Sequence, residues 1–182
     1  FIESNSLNYT TSNILNNFAN STASFSVMAG YNFGADIRLI GLNLQASVRI
    51  AGGIRTIIRE TQITSSSIDI PIQLGSGANN NIPSPDLINT SIAANNLEIE
   101  YQLPGLLPAN ADFAVDFYRS NANGDLLDYL GTDLVTTLTG GTYTVNLTVT
   151  GLSVGDRIAA TTTSLGGGTN VSIGTSEATY ID

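Results

Sequence analysis

Residues 116–137, DFYRSNANGDLLDYLGTDLVTT, set strand-like sequence on both sides of Asn121-Ala122-Asn123-Gly124-Asp125. Upstream, Phe113, Val115 and Phe117 recur at period two, which predicts an inward face opposite Val145 and Leu147 and an outer face carrying Asp116 and Tyr118. Asn and Gly tolerate positive φ, so Asn123-Gly124-Asp125 between Phe117 and Leu127 is what a hairpin requires. In that reading Gly124 carries the turn and Asp125 is an exposed carboxylate. The same stretch is also a candidate calcium loop. Asn121, Asn123, Asp125 and Asp128 offer oxygen ligands at near-alternate spacing, and Gly124 permits a sharp bend. An EF-hand would add more carboxylates and a terminal bidentate Glu, and both are missing here. The turn is the leading reading and calcium the second.

Working outward, the same alternation recurs. Ile68, Ile70, Ile72 and Leu74 alternate with polar residues or Pro, as do Leu97, Ile99, Tyr101 and Leu103, and Tyr143, Val145, Leu147 and Val149. Each run has one apolar and one polar face, which predicts an all-β protein. Only 7–18 is weakly helical, and its Asn and Thr content opposes a helix. From Asn96 onward, candidate strands fall at 96–103, 112–118, 126–130, 134–138, 143–149, 157–163 and 176–181. Turns every ~8–12 residues are the spacing of an immunoglobulin-like sandwich. Gly140-Gly141 predicts a hairpin before Tyr143, and Gly166-Gly167-Gly168 a loop before the last strand.

GSGANNNIPSPDL, residues 75–87, is too rich in Gly, Asn, Ser and Pro for a strand. It divides the chain into a β-rich segment, 1–86, and the sandwich, 87–182. Within the first segment Leu42-x-Leu44 aligns with Thr61-x-Ile63 at an offset of 61 − 42 = 19, and Val48-x-Ile50 with Ile68-x-Ile70 at 68 − 48 = 20. Such a repeat fits successive coils of a β-solenoid, and equally two ordinary sandwich strands.

Composition bounds the chemistry. Charged residues are 12%, and the formal net charge is −9 over 182 residues, so a nucleic-acid backbone or an anionic membrane surface would repel the chain. There is no Cys, no His and no Trp, and all six basic residues are Arg. Disulfides, thiolate nucleophiles and the commonest acid/base group and metal ligand are thereby excluded. No apolar run is long enough to span a bilayer.

FAVDFYRSNANGDLLDYLGTDLVTT, then GLSVGDRIAATTT and the closing TSEATY, together resemble an immunoglobulin-like β-sandwich module of bacterial secreted and cell-surface proteins. There the module follows a right-handed parallel β-helix. The likeness covers about residues 68–180, with IDIPIQLG resembling a last helix coil and Tyr129-Leu130-Gly131 a hairpin. It implies an extracellular setting and no catalytic residues. The acidic stretch that usually follows the last coil is replaced by SGANNNIPSP.

The other candidates have bland readings. Glu98 and Glu100 stand about 7 Å apart on one strand face, within glycosidase range. They alternate with apolar residues, so a solvated outer face accounts for them. LGGGTN, residues 165–170, lacks the Lys of a phosphate loop. Asp156 and Arg157 read as an ion pair pinning a strand. Tyr101, Tyr118, Tyr129, Tyr143 and Tyr180 could stack on sugars, but their alternation favours packing. Sequons begin at Asn8, Asn20, Asn89, Asn146 and Asn170. The chain therefore reads as a non-enzymatic structural or adhesive module of a bacterial surface protein, without cofactor beyond the candidate calcium. Its expected partners are neighbouring subunits or domains of a surface assembly, and not nucleic acid or lipid. The alternatives are a fibre or pilus subunit joined by strand addition through FIESNSLNYTTSNILNN, and a carbohydrate-binding module for glycans.

Overall fold

A computed structural model describes residues 25–27, 37–44, 47–50, 55–64, 70–104, 111–136, 141–166 and 174–182. The weakly helical stretch 7–18, Ile68 and the sequons at Asn8, Asn20 and Asn170 lie outside them. The protein is all-β. No helix among the described residues is long and apolar enough to cross a membrane.

The first half winds in repeating triplets of short strands. These are β1 (Phe25–Val27), then β2 (Ile37–Ile40), β3 (Asn43–Leu44) and β4 (Val48–Ile50), then β5 (Thr56–Arg59), β6 (Gln62–Ile63) and β7 (Ile72–Leu74). All their mutual pairings are parallel: β2 with β5, β3 with β6, and β4 with both β1 and β7. Each strand is thus added to the one a turn of chain earlier, so three ladders stack side by side. Leu39, Leu44, Val48, Ile50, Ile58, Ile63 and Ile72 fill the space between them. The expected alignment of Leu44 with Ile63 is the observed register, at 63 − 44 = 19 residues. The second alignment needs correction: Val48 pairs with Ile72 rather than Ile68, an offset of 72 − 48 = 24. The spacing differs between ladders because the corner between β6 and β7 spans eight residues, 64–71, against three, 45–47, at the matching corner between β3 and β4.

The chain then turns at Gly77 and a 3-10 segment, Ala78–Asn81, in which Asn79, Asn80 and Asn81 all have positive φ. Two antiparallel sheets follow. One holds β8 (Asp86–Ala93), β9 (Asn96–Gln102) and, from later in the chain, the seven residues Thr142–Thr148; the other begins with β10 (Asp112–Ser120) and β11 (Leu126–Thr136). Numbering Thr142–Thr148 as β12, the second sheet is completed by β13 (Arg157–Gly166), β14 (Gly174–Thr175) and β15 (Thr179–Ile181). Strand order is β12-β9-β8 in the first sheet and β14-β13-β10-β11 in the second, with β15 also on β13. Leu97, Ile99, Tyr101, Phe113, Val115, Phe117, Leu147 and Ile158 form the core between them.

Four expectations change here. β8 is a strand, although DLINTSIA has no period-two apolar pattern. The candidates 126–130 and 134–138 are one eleven-residue strand, so Tyr129-Leu130-Gly131 is no hairpin but a register shift within β11. Gly141 ends a crossing between sheets, not a hairpin, because β12 pairs with β9 and not with β11; Gly140 lies outside the described residues. Phe113, Val115 and Phe117 do face inward, yet Asp116 and Tyr118 on the other face are also buried, at 0% and 1% exposure. The outer face of that sheet is covered by the stacked triplets.

Candidate functional site

The covered face is a junction between the two halves of the chain. β11 extends the second sheet onto the triplets by pairing Leu126 with Ile63. Tyr118, Leu126 and Ala159 share one core with Ile58, Ile63, Ile72 and Ala78. Each ladder ends on a group from beyond residue 76. The edge of β5 is met first by Thr175, whose hydroxyl accepts from Ile58 N–H at 2.8 Å and donates to Ile58 C=O at 3.1 Å. Beside it, the Asn79 carboxamide accepts from Thr56 N–H at 3.0 Å and donates to Thr56 C=O at 2.9 Å. One side chain thereby reproduces the donor and acceptor of a next strand. The β6 edge is met by Leu126, and the Leu74 N–H of β7 donates to the Glu177 carboxylate at 2.8 Å. Asn79 also donates to Thr175 C=O at 2.9 Å, and a Cβ on Gly174 would lie 2.5 Å from the Asn79 Cγ. Only glycine leaves room for that approach.

At the corner between β5 and β6, the Arg59 guanidinium reaches the buried Asp116 carboxylate. Its Nε donates to one oxygen at 3.1 Å and its Nη2 to the other at 3.0 Å, while Thr132 donates its hydroxyl to the same carboxylate. Burial draws the Arg59 pKa down, but the hydrogen bonds and charge of Asp116, together with Glu60, outweigh it and hold it above its ordinary value. Sequence reading missed this pair. Its partners stand 57 residues apart, and Asp116 has the alternation of a solvent-facing position.

The calcium candidates divide. Asn121 and Asp125 come together, with Asn121 Nδ2 donating to Asp125 Oδ2 at 2.8 Å. Asn121 Oδ1 accepts from the N–H groups of Asn123 at 2.9 Å and Asp125 at 3.1 Å, and Gly124 N–H donates to Asn121 C=O at 3.0 Å. This is an Asx-braced turn with Gly124 at φ +86°. Asn123 is exposed, and Asp128 forms an ion pair with Arg119 on the neighbouring strand. Among the described residues no group of three or more acidic side chains is placed to hold a metal ion. Asp125 is 5% exposed, not the surface carboxylate expected. The turn is docked onto the last strand, since Tyr180 donates its hydroxyl to Gly124 C=O at 3.0 Å. Arg157 stacks over the Tyr180 ring at 4.7 Å. Arg157 pairs with Asp182 at 3.0 Å rather than with Asp156, whose carboxylate accepts from Ser153 N–H at 2.7 Å.

The tyrosines are packing residues. Tyr101 stacks on Tyr143 with centroids 5.5 Å apart, meets Phe117 edge-on at 5.4 Å and donates to Asp133 at 2.7 Å. Tyr118 tilts against Tyr129 at 5.8 Å. Burial pushes the phenols of Tyr101, Tyr118 and Tyr129 up, and that of Tyr180 up to about 12. Glu98 and Glu100 lie on the face of β9 opposite the core, between Ser91 and Asn146 and between Asn89 and Thr144. An open groove of about 380 Å³ runs between β11 and the segment after β12, lined by Gln62, Arg119, Asp128, Thr148 and Thr150 among others. No protein-family model matches the chain, and no curated protein is significantly similar to it.

Proposed function

We propose that this chain is a non-enzymatic structural or adhesive module of a bacterial cell-surface protein, in which an immunoglobulin-like sandwich terminates a β-solenoid. The observation that carries the reading is the junction: each ladder of the last triplet ends on a hydrogen-bonding group from beyond residue 76. An open solenoid end exposes unpaired strand edges and invites further stacking, so such arrays need a terminal unit of different construction. The strand arrangement supports the immunoglobulin-like part. The first, second and fifth sandwich strands form one sheet, and the third, fourth, sixth, seventh and eighth form the other.

The cap is tested by replacing Asn79 with Leu, which fills similar space and cannot bond Thr56. The variant self-associates as the β5 edge is released, measured by light scattering at matched concentration. A monodisperse variant of wild-type stability overturns the cap. Surface placement is tested separately by antibody labelling of intact cells expressing the full gene product. Labelling seen only after lysis overturns it.

A further inference from the structure

The two flanks of the sandwich differ. On one, β8 lies against β15. On the other, β12 is the edge of its sheet, and no described strand pairs with its outer side. Beneath that edge the core is incompletely covered. Tyr143 and Val145 of β12, and Leu130 and Val135 of the facing β11, are only half-buried, whereas Leu97, Ile99 and Tyr101 of the central β9 are fully enclosed. Natural edges are usually blunted by charge, proline or a bulge. Thr142-Tyr143-Thr144-Val145-Asn146-Leu147-Thr148 has no charge, no Pro and no Gly, and its register against β9 runs without a shift.

The sequence of this edge is also nearly symmetric about Val145. Paired antiparallel with itself, it sets Thr142 opposite Thr148, Tyr143 opposite Leu147, Thr144 opposite Asn146 and Val145 opposite Val145. Apolar residues then meet on the core side and hydroxyls and amides on the outer side, as cross-strand pairing favours. The nearest charges on the outer face, Glu98 and Glu100, sit one strand back on β9. In the paired sheet they lie about 14 Å from their counterparts, three strand spacings, beyond the screening length of about 8 Å at physiological salt.

We infer that the β12 edge is a self-docking surface. Two copies pair antiparallel through Thr142–Thr148 around a two-fold axis, joining their three-stranded sheets into one of six. The contact is an edge with a narrow apolar flank, so the dimer is weak and forms with rising concentration. This inference does not depend on the cap.

Sedimentation velocity over a concentration series, with hydrogen exchange on the full chain, tests it. Wild type shifts toward dimer, and amides in 142–148 gain protection as it does. Thr144→Lys with Asn146→Lys puts Lys opposite Lys twice across the two-fold and raises the dissociation constant at least about tenfold. Both positions are exposed, so the fold is retained. Thr144→Lys with Asn146→Glu puts Lys opposite Glu and restores association to the wild-type level or tighter. A monomer at every concentration overturns the inference. So does a dimer whose new protection falls in residues 1–20, or one on which the two double variants act alike.

Discussion

Arg59→Met isolates the electrostatic part of the junction, because the substituted side chain keeps the apolar stem and loses only the guanidinium. Asp116 then remains at 0% exposure, with the Thr132 hydroxyl as its remaining partner in this network and two charge-assisted hydrogen bonds gone. Stranding one member of a buried pair costs about 3–5 kcal/mol. The Arg59 side chain is 17% exposed, so water can partly reach the carboxylate from that side, and the expected loss is about 3 kcal/mol. Converting both partners, Arg59→Met with Asp116→Leu, removes the stranded charge. It costs well under the sum of the single changes, leaving a coupling above about 1 kcal/mol. The measurement is urea unfolding at pH 7 followed by circular dichroism, since the chain has no Trp to report fluorescence. An unchanged dependence on urea confirms that the unfolded state is not what moved. An Arg59→Met loss below about 1 kcal/mol, or strict additivity, would refute the view that this pair holds the two halves together.

Three further outcomes follow. Phe117→Ala, at a position with 0% exposure between the two sheets, lowers stability by about 3–5 kcal/mol, and a loss below about 1 kcal/mol in the same urea assay would contradict the assigned face. Millimolar calcium leaves the melting temperature unchanged, because Asn121 Oδ1 already accepts two N–H groups and Asp128 is held by Arg119; a rise of several degrees abolished by Asp125→Asn would restore the calcium loop. Alkali destabilises the fold: Tyr101, Tyr118, Tyr129 and Tyr180 hold their protons above the unfolded value near 10, so stability is complete below about pH 10 and falls as pH rises toward the folded value of Tyr180, about 12. The urea midpoint at pH 11 should lie below that at pH 8, and equal midpoints would count against buried phenols.

What could be read from the chain was whatever one strand records about its own two faces. β9, β10 and β12 carry period-two patterns, and their inward residues were identified correctly. β8 was invisible because an edge strand with much of its surface exposed carries no such pattern. The likeness of Tyr129-Leu130-Gly131 to a hairpin split β11, yet Gly131 sits within the strand, where its φ of +154° suits glycine and a Cβ would lie 2.9 Å from the Leu147 side chain. The coil repeat was half legible. Two ladders keep an offset of 19 and the third does not, so no single period describes it. Asp116 was misassigned for a more general reason. Alternation separates the two faces of a strand, but it cannot say whether water or another part of the chain lies against the polar one.

That distinction bears on how the halves relate. A sheet face bearing Asp116, Thr132, Thr161 and Thr163 is polar enough to be mistaken for surface, yet Thr161 and Thr163 are as fully buried as Asp116. A purely apolar face would serve as well for burial, but it would not fix where the triplets sit along the sheet, because apolar contact is non-directional. The Arg59 fork, the Asn79 carboxamide and the Thr175 hydroxyl each accept one alignment, since each must meet both a donor and an acceptor or both oxygens of a carboxylate. A slip by one residue would strand several buried polar groups together, at roughly 1–3 kcal/mol apiece. The polar residues at this junction therefore act as a register: the apolar core shared by both halves supplies the attraction, and the hydrogen bonds select one docking out of the many it would permit.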